Sequence, residues 1–258
     1  DISVDAEIVG GVSGNDVLSL TGGGTFDLSN AEIAELETIS LASNASASVI
    51  LGNSAVASGS TMTIDASAIT DAANNLVFSG GAETDGFFSI TGGAGADTIT
   101  GGAGADTISG GAEADSLIGG GGADTIKGGG GSDIISGGGG ADTIKGGDSS
   151  DIISGGSGAD IFIYAAPDQG GDTITDFTSG TDMIAVSSSN FGNLPAGTLS
   201  SSLFALSGHE TSATRFIFDS ASGVLSYDAD GSGQMVPTDI ATIQYGGALT
   251  YHDILVIN

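Results

Sequence analysis

Between Gly92 and Ile163 the chain falls into eight unbroken units of nine residues, and that period constrains the fold more than any other feature. The units read GGAGADTIT, GGAGADTIS, GGAEADSLI, GGGGADTIK, GGGGSDIIS, GGGGADTIK, GGDSSDIIS and GGSGADIFI. A fixed period of this kind marks a stacked, quasi-one-dimensional architecture. Gly fills positions one and two of every unit. Asp fills position six: Asp97, Asp106, Asp115, Asp124, Asp133, Asp142, Asp151 and Asp160. A large apolar residue fills position eight: Ile99, Ile108, Leu117, Ile126, Ile135, Ile144, Ile153 and Phe162. The block holds 25 of the chain's 47 glycines.

Each unit reads as a six-residue glycine-rich turn followed by about three extended residues. Side chains alternate along a strand, so positions six and eight point the same way, and the apolar position eight must face inward. The Asp therefore leans inward as well, at the end of its turn. Two units make one flattened coil of 18 residues, and coils stack as an all-β parallel solenoid. Equivalent turns then lie two units apart, at about 4.8 Å. Asp97 stacks near Asp115, and Asp106 near Asp124. Two carboxylates at such a distance repel by roughly 1 kcal/mol in water and several-fold more at an effective dielectric near 20. Two columns of them oppose folding unless a hard divalent cation lies between successive turns. Ca²⁺ accepts six to eight carboxylate and carbonyl oxygens, which acidic glycine-rich turns supply; Mg²⁺ prefers retained water and strict octahedral geometry. Pairing each unit with the unit two further on gives six inter-turn sites in the eight repeats.

The pattern Gly-Gly-x-Gly-x-Asp-x-large apolar-x resembles the RTX family of type I secreted bacterial proteins. The resemblance implies a right-handed parallel β-roll with Ca²⁺ between turns. Two units depart from it: Glu113 replaces the fourth-position Gly, and Asp148-Ser149-Ser150 precedes Asp151. After the repeats, Gly171-Asp172-Thr173-Ile174-Thr175-Asp176-Phe177 is similar to the family's exit from the roll. That resemblance places Asp172 and Asp176 beside the last coils, with Asp172 as a further metal ligand. The terminal Asp253-Ile254-Leu255-Val256-Ile257-Asn258 resembles an uncleaved type I secretion signal, and it also reads as a last β-strand. The Ala/Ser/Thr-rich stretch around Thr63–Ile69 and Leu76–Gly81 resembles segments of surface-layer and adhesin proteins.

Three regions follow. Residues 1–91 read as a calcium-poor continuation of the solenoid with wider coils. Strand-like runs lie at 38–41, 49–51, 62–64 and 76–79, a short helix is expected near 30–37, and degenerate turns lie at 10–18 and 80–85. Residues 92–163 are the calcium β-roll. Residues 164–258 read as a β-hairpin cap over the open end, with strands at 216–218, 224–227 and 241–243, followed by the secretion signal.

Composition narrows the function. The net charge is −29, with three Lys and Arg against 32 acids. Nucleic acid and anionic membranes are poor partners for such a chain. Yet 39 % of residues are hydrophobic, too many for a disordered acidic polymer. Cysteine is absent, so disulfides and thiolate metal sites are excluded. No run approaches the ~20 apolar residues of a membrane helix. The sequence starts at Asp1 without a charged-then-apolar leader, which suits a fragment, a mature product or a substrate exported without an N-terminal signal.

No catalytic constellation emerges. His209-Glu210 begins a zincin-like motif, but Ala213 stands where the second His belongs. Asp228, Asp230, Ser232, Gly233 and Asp239 have EF-hand-like spacing, but an acidic hairpin turn is the better reading because no flanking helices are evident. Asp65 reads as a solvated turn residue. The expectation is an extracellular, Ca²⁺-folded structural protein of the cell surface, with the secretion machinery, its own copies in a lattice, or surface polysaccharide as partners. The alternative is the secretion and folding module of an enzyme, a protease, lipase or epimerase, whose catalytic domain lies upstream. Binding of ice or polysaccharide to a flat face would need an unbroken outward Thr ladder. Position seven runs Thr98, Thr107, Ser116, Thr125, Ile134, Thr143, Ile152, Ile161, which reads as broken.

Overall fold

The computed structural model describes residues 15–30, 33, 36–41, 44–53, 55–231, 235–244 and 249–258, and the backbone of Ile2–Ser3. Among these residues there is no α-helix, only two short 3-10 turns at Ser201–Leu203 and Tyr251–Asp253. The rest is a 13-stranded sheet and an 11-stranded sheet facing each other across a thin apolar core. No helix among the described residues is long and apolar enough to cross a membrane.

Alternate repeats go to opposite sheets. Strands Thr98–Gly102, Ser116–Gly121, Ile134–Gly139 and Ile152–Ser157 lie in the larger sheet. Strands Thr107–Gly111, Thr125–Gly130, Thr143–Asp148 and Ile161–Tyr164 lie in the other. All pair in parallel with a register offset of 18 residues, so Leu117 stands beside Ile99 and Ile135, and Ile126 beside Ile108 and Ile144. The position-eight side chains form two inward columns, each residue buried. Each such side chain contributes roughly 1.5–3 kcal/mol on burial.

The same two sheets continue on both sides of the repeats. Below them, Gly24–Leu28, Ala47–Leu51 and Leu76–Ser79 extend the larger sheet. Val17–Leu20, Thr38–Leu41, Thr61–Asp65 and Phe87–Thr91 extend the smaller one. Here the coils are wider: Ile39 pairs with Ile64 and Val49 with Phe78, 25 and 29 residues apart. Of the expected helix near 30–37, the described residues Asn30, Ile33, Leu36 and Glu37 are not helical. The remainder, and the expected turn at 10–14, lie outside the described residues.

Above the repeats, Asp172–Ile174 and Met183–Ser187 add one strand to each sheet, followed in parallel by Thr238–Ile243 and Ile254–Ile257. The expected hairpins are present: Phe216–Asp219, Val224–Tyr227 and Thr238–Ile243 form an antiparallel meander. They join the roll edge to edge, because Thr238–Ile243 pairs in parallel with Asp172–Ile174 on its other side. Phe191, Phe216 and Tyr227 pack together inside this end, with ring centroids 4.9 to 6.0 Å apart.

Sorting the repeats onto two faces also changes the outward rows. On the smaller sheet, Thr38, Thr63, Ser89, Thr107, Thr125 and Thr143 stand in register as an unbroken hydroxyl column. Of the isoleucines that interrupt the row along the chain, Ile134 and Ile152 lie on the opposite sheet, while Ile161 pairs with Thr143 and ends the hydroxyl column on this one.

Position one of each turn needs glycine for space. A Cβ on Gly128 would collide with the Asp133 carboxylate and with the Gly146 carbonyl of the next coil. Position four needs it for conformation, since Gly131 and Gly140 have φ of 105° and 128°. The two departures noted in the sequence fall on that position, where Glu113 (φ 64°) and Ser149 (φ 82°) hold the left-handed conformation without glycine's freedom. Glu113→Gly and Ser149→Gly should each raise stability by up to about 1 kcal/mol. Chemical denaturation at saturating Ca²⁺ measures this, and a loss of stability in both variants would contradict the strain argument.

Candidate metal centre

The residue at position six is the last of the turn, where the backbone enters the strand. Its main chain already belongs to the parallel ladder: the Asp97 carbonyl accepts the Ser116 N–H at 2.8 Å. Its side chain cannot reach water, because the next coil lies directly over it, and all eight repeat aspartates are buried.

The structure arranges them in two columns. Asp97, Asp115, Asp133, Asp151 and Asp172 run along one edge, and Asp106, Asp124, Asp142 and Asp160 along the other. In each step the backbone N–H of one Asp donates to Oδ1 of the Asp one coil above, at 2.7 to 2.9 Å from Asp97 through Asp172. Asp172 thus stands in line with the repeats although its spacing breaks the nonapeptide period. The second column gains one member that sequence reasoning missed: Asp160 N–H donates to Asp182 Oδ1 at 3.1 Å. Its signal was legible in Gly180-Thr181-Asp182-Met183-Ile184, the second half of a repeat without its leading Gly-Gly. Asp176 stands apart from the columns; its carboxylate accepts the N–H groups of Gly155 and Gly156 and the Ser154 hydroxyl.

The second oxygen of each carboxylate divides the columns. Asp97 Oδ2 accepts Gly93 N–H and Asp106 Oδ2 accepts Gly102 N–H, at 2.7 and 2.8 Å. From the third unit upward Oδ2 of Asp115, Asp124, Asp133, Asp142, Asp151 and Asp172 is buried with no hydrogen-bond partner. In units three to seven this accompanies a position-two glycine at positive φ (Gly111 127°, Gly129 127°), whereas Asp172 has no glycine at that position and lies beside the buried Tyr164 hydroxyl. Leaving a buried charged acceptor without a partner is strongly unfavourable.

The donor set suits a hard cation. Over the Cα of Gly110, Asp115 Oδ2 converges with the carbonyl oxygen of Gly128 from the coil above. The same pairing recurs at Gly119 with Asp124 and Gly137, and at Gly128 with Asp133 and Gly146. Neither histidine lies in either column. Among the described residues no three acidic or histidine side chains cluster, so any cation here is held chiefly by backbone carbonyls around one or two carboxylates. That is the ligand mixture Ca²⁺ accepts.

Other acidic residues have ordinary roles. Asp65 Oδ1 accepts Ser67 N–H within its own turn. Asp228 Oδ1 accepts the N–H groups of Asp230 and Gly231, while Asp239 lies on a strand and accepts the Ser226 hydroxyl. Ser232 and Gly233 of that spacing lie outside the described residues. Asp253 is buried, accepting Gly180 N–H and the Ser179 and Thr250 hydroxyls, so the residue before the apolar tail anchors a turn of the coil below.

A parallel β-roll with stacked, buried aspartates in its turns defines a class of acidic repeat protein. Residues 89–117, 109–144 and 127–162 match the model of the RTX calcium-binding nonapeptide repeat, and this stretch of the chain is an RTX repeat block. A comparison with curated proteins finds no match. Among solved structures 26 chains match. One is the solution structure of the AlgE6R3 subunit from the Azotobacter vinelandii mannuronan C5-epimerase, 28 % identical, covering 55 % of this chain and 78 % of that one at a TM-score of 0.33.

Burial, reinforced by neighbouring carboxylates, pushes Asp115 and Asp124 up to about 7. Burial likewise pushes Asp172 up to about 7 and Asp133 up to about 6. These groups bind protons more tightly folded than unfolded, so the metal-free roll loses stability as pH rises from the ordinary value of 3.8 through about 7. In chelator, the thermal midpoint should therefore be higher near about pH 5 than near about pH 8. Ca²⁺ affinity should change in the opposite sense, rising with pH as the proton stops competing. A metal-free midpoint that climbs toward pH 8 would contradict this.

Proposed function

We propose that this chain is an extracellular structural protein whose folding is driven by Ca²⁺, the C-terminal part of a bacterial surface-layer or adhesin-type protein. The observation that carries the calcium reading is the set of six buried Oδ2 atoms without partners, four of which, on Asp115, Asp124, Asp133 and Asp142, converge with a glycine carbonyl of the coil above. Each marks one ion, with Asp115, Asp124, Asp133, Asp142, Asp151 and Asp172 as its carboxylate and the adjacent turn supplying carbonyls. Six sites add twelve positive charges to a repeat block that carries ten acids and two lysines. Binding to the folded chain alone then contributes folding free energy directly.

The cellular reading follows from the same linkage. Extracellular calcium modules bind at roughly 10⁻⁴ to 10⁻³ M, far above cytosolic concentrations. The acidic coils stay open inside the cell, pass the type I export machinery, and close outside. The long Ala/Ser/Thr-rich coils below the repeats suit a structural role in a surface lattice.

Adding Ca²⁺ to chelator-treated protein should increase the β signal in far-UV circular dichroism, and a spectrum indifferent to Ca²⁺ would overturn the mechanism. Asp124→Ala should lower the number of ions bound, read by calorimetry or equilibrium dialysis, because it removes one unpartnered oxygen and the acceptor of the Asp106 N–H. Unchanged stoichiometry would argue against stacked inter-turn sites. Electron microscopy with and without Ca²⁺ tests the lattice: ordered sheets only with Ca²⁺ support it, and dispersed particles in both conditions count against it.

A further inference from the structure

Both aspartate columns stop abruptly at their lower ends. The slot of Asp97 is taken one coil below by Leu76, whose N–H donates to Asp97 Oδ1 at 2.7 Å, and below that by Ala47. The slot of Asp106 is taken by Phe88, with the same bond at 2.7 Å, and below that by Met62. All four are buried, and Phe88 packs edge-on against Phe78 with ring centroids 5.2 Å apart. Apolar contact thus occupies the positions that carboxylates occupy above.

Below Met62 the second column resumes with Glu37 and Asp16, where Asp16 N–H donates to Glu37 Oε2 at 2.8 Å and Asp16 Oδ2 is buried without a partner, but within Thr38–Gly111 the buried acidic residue outside the repeats is fully satisfied by protein. Glu83 accepts the N–H groups of Thr84, Asp85 and Gly86 from its own turn and of Val56 from the coil below, at 3.0 to 3.4 Å. It joins two coils as a cation would, but with backbone donors. Asp97 and Asp106 likewise have both oxygens occupied by N–H groups. From Thr38 to Gly111, no repeat-slot carboxylate lacks a partner; from Asp115 to Asp172 six do.

We infer that the roll carries its own cation-independent base: the coils spanning Thr38–Gly111 fold without Ca²⁺ and form the edge on which the calcium-dependent coils stack. This rests on the reading that Ca²⁺ fills the six unpartnered oxygens. The physical reason is nucleation. A lone coil must order its backbone with no neighbour to pair with, whereas a coil added to a formed edge gains ladder bonds and an apolar contact at once. The upper edge of the base already presents aligned N–H and C=O groups together with Ile99 and Ile108.

Hydrogen exchange with mass spectrometry on the whole chain tests this. In chelator, amides of Thr38–Leu41, Ala47–Leu51, Thr61–Asp65, Leu76–Ser79 and Phe87–Thr91 should stay protected, while those of Ser116–Gly121 through Thr143–Asp148 exchange as an unfolded chain. At a Ca²⁺ concentration roughly 100 times its dissociation constant, exchange in the second group should slow by about 100-fold. A base that exchanges freely in chelator and gains protection at the same Ca²⁺ midpoint as the repeats would overturn the inference and leave the calcium reading standing. Repeats indifferent to Ca²⁺ would overturn the calcium reading, and protection of the base in chelator would still decide this one.

Discussion

The structure depends on the repulsion between carboxylates held one strand spacing apart. A parallel coil forces chemically identical groups into register, and here the repeated group is an acid. Half of each carboxylate is accommodated by the protein, since Oδ1 accepts the N–H of the Asp one coil below. That bond makes each side chain part of the ladder and removes its freedom to turn toward water. In Asp97 and Asp106 the other oxygen is closed by a glycine N–H, and in the coils from Asp115 upward it is buried in the turn without a hydrogen-bond donor. The thin core of one large apolar residue per unit, alternating between the two faces, adds attraction.

Glycine makes that arrangement possible, and its failures show where strain collects. Position one lies against its own unit's carboxylate and the carbonyl of the next coil, leaving no room for a side chain. Position two decides whether the second oxygen is satisfied. At Gly93 and Gly102 its N–H closes the carboxylate; in units three to seven, where it turns to positive φ, the second oxygen is buried without a partner.

Much of this was legible beforehand. The eight aspartates and their apolar partners two residues later were readable because a strand alternates its side chains, so a strict spacing of two puts both on one face. The 18-residue coil followed from the need of a three-residue strand for a neighbour. Asp172 was found through resemblance, and its place at the head of the first column accords with it. Asp182 was missed because its turn has lost the leading glycines, and an irregular connection hides the spacing. Glu83 was read only as part of a turn, since nothing local in Gly80–Asp85 indicates that Val56, 27 residues away, presents an N–H to it.

By itself the sequence determined the period, the acid in every turn and the apolar column. These are local properties repeated, and repetition turns local geometry into architecture. Tertiary structure alone decided which repeats share a face, so the hydroxyls from Thr38 to Thr143 line up on one sheet, ending at Ile161, while Ile134 and Ile152 fall on the other. It also decided which carboxylate oxygens are closed by backbone N–H and which are left open, and where the columns give way to Leu76 and Phe88. Those outcomes depend on what lies one coil above or below, at sequence distances that vary with the width of each coil, and no local pattern encodes that.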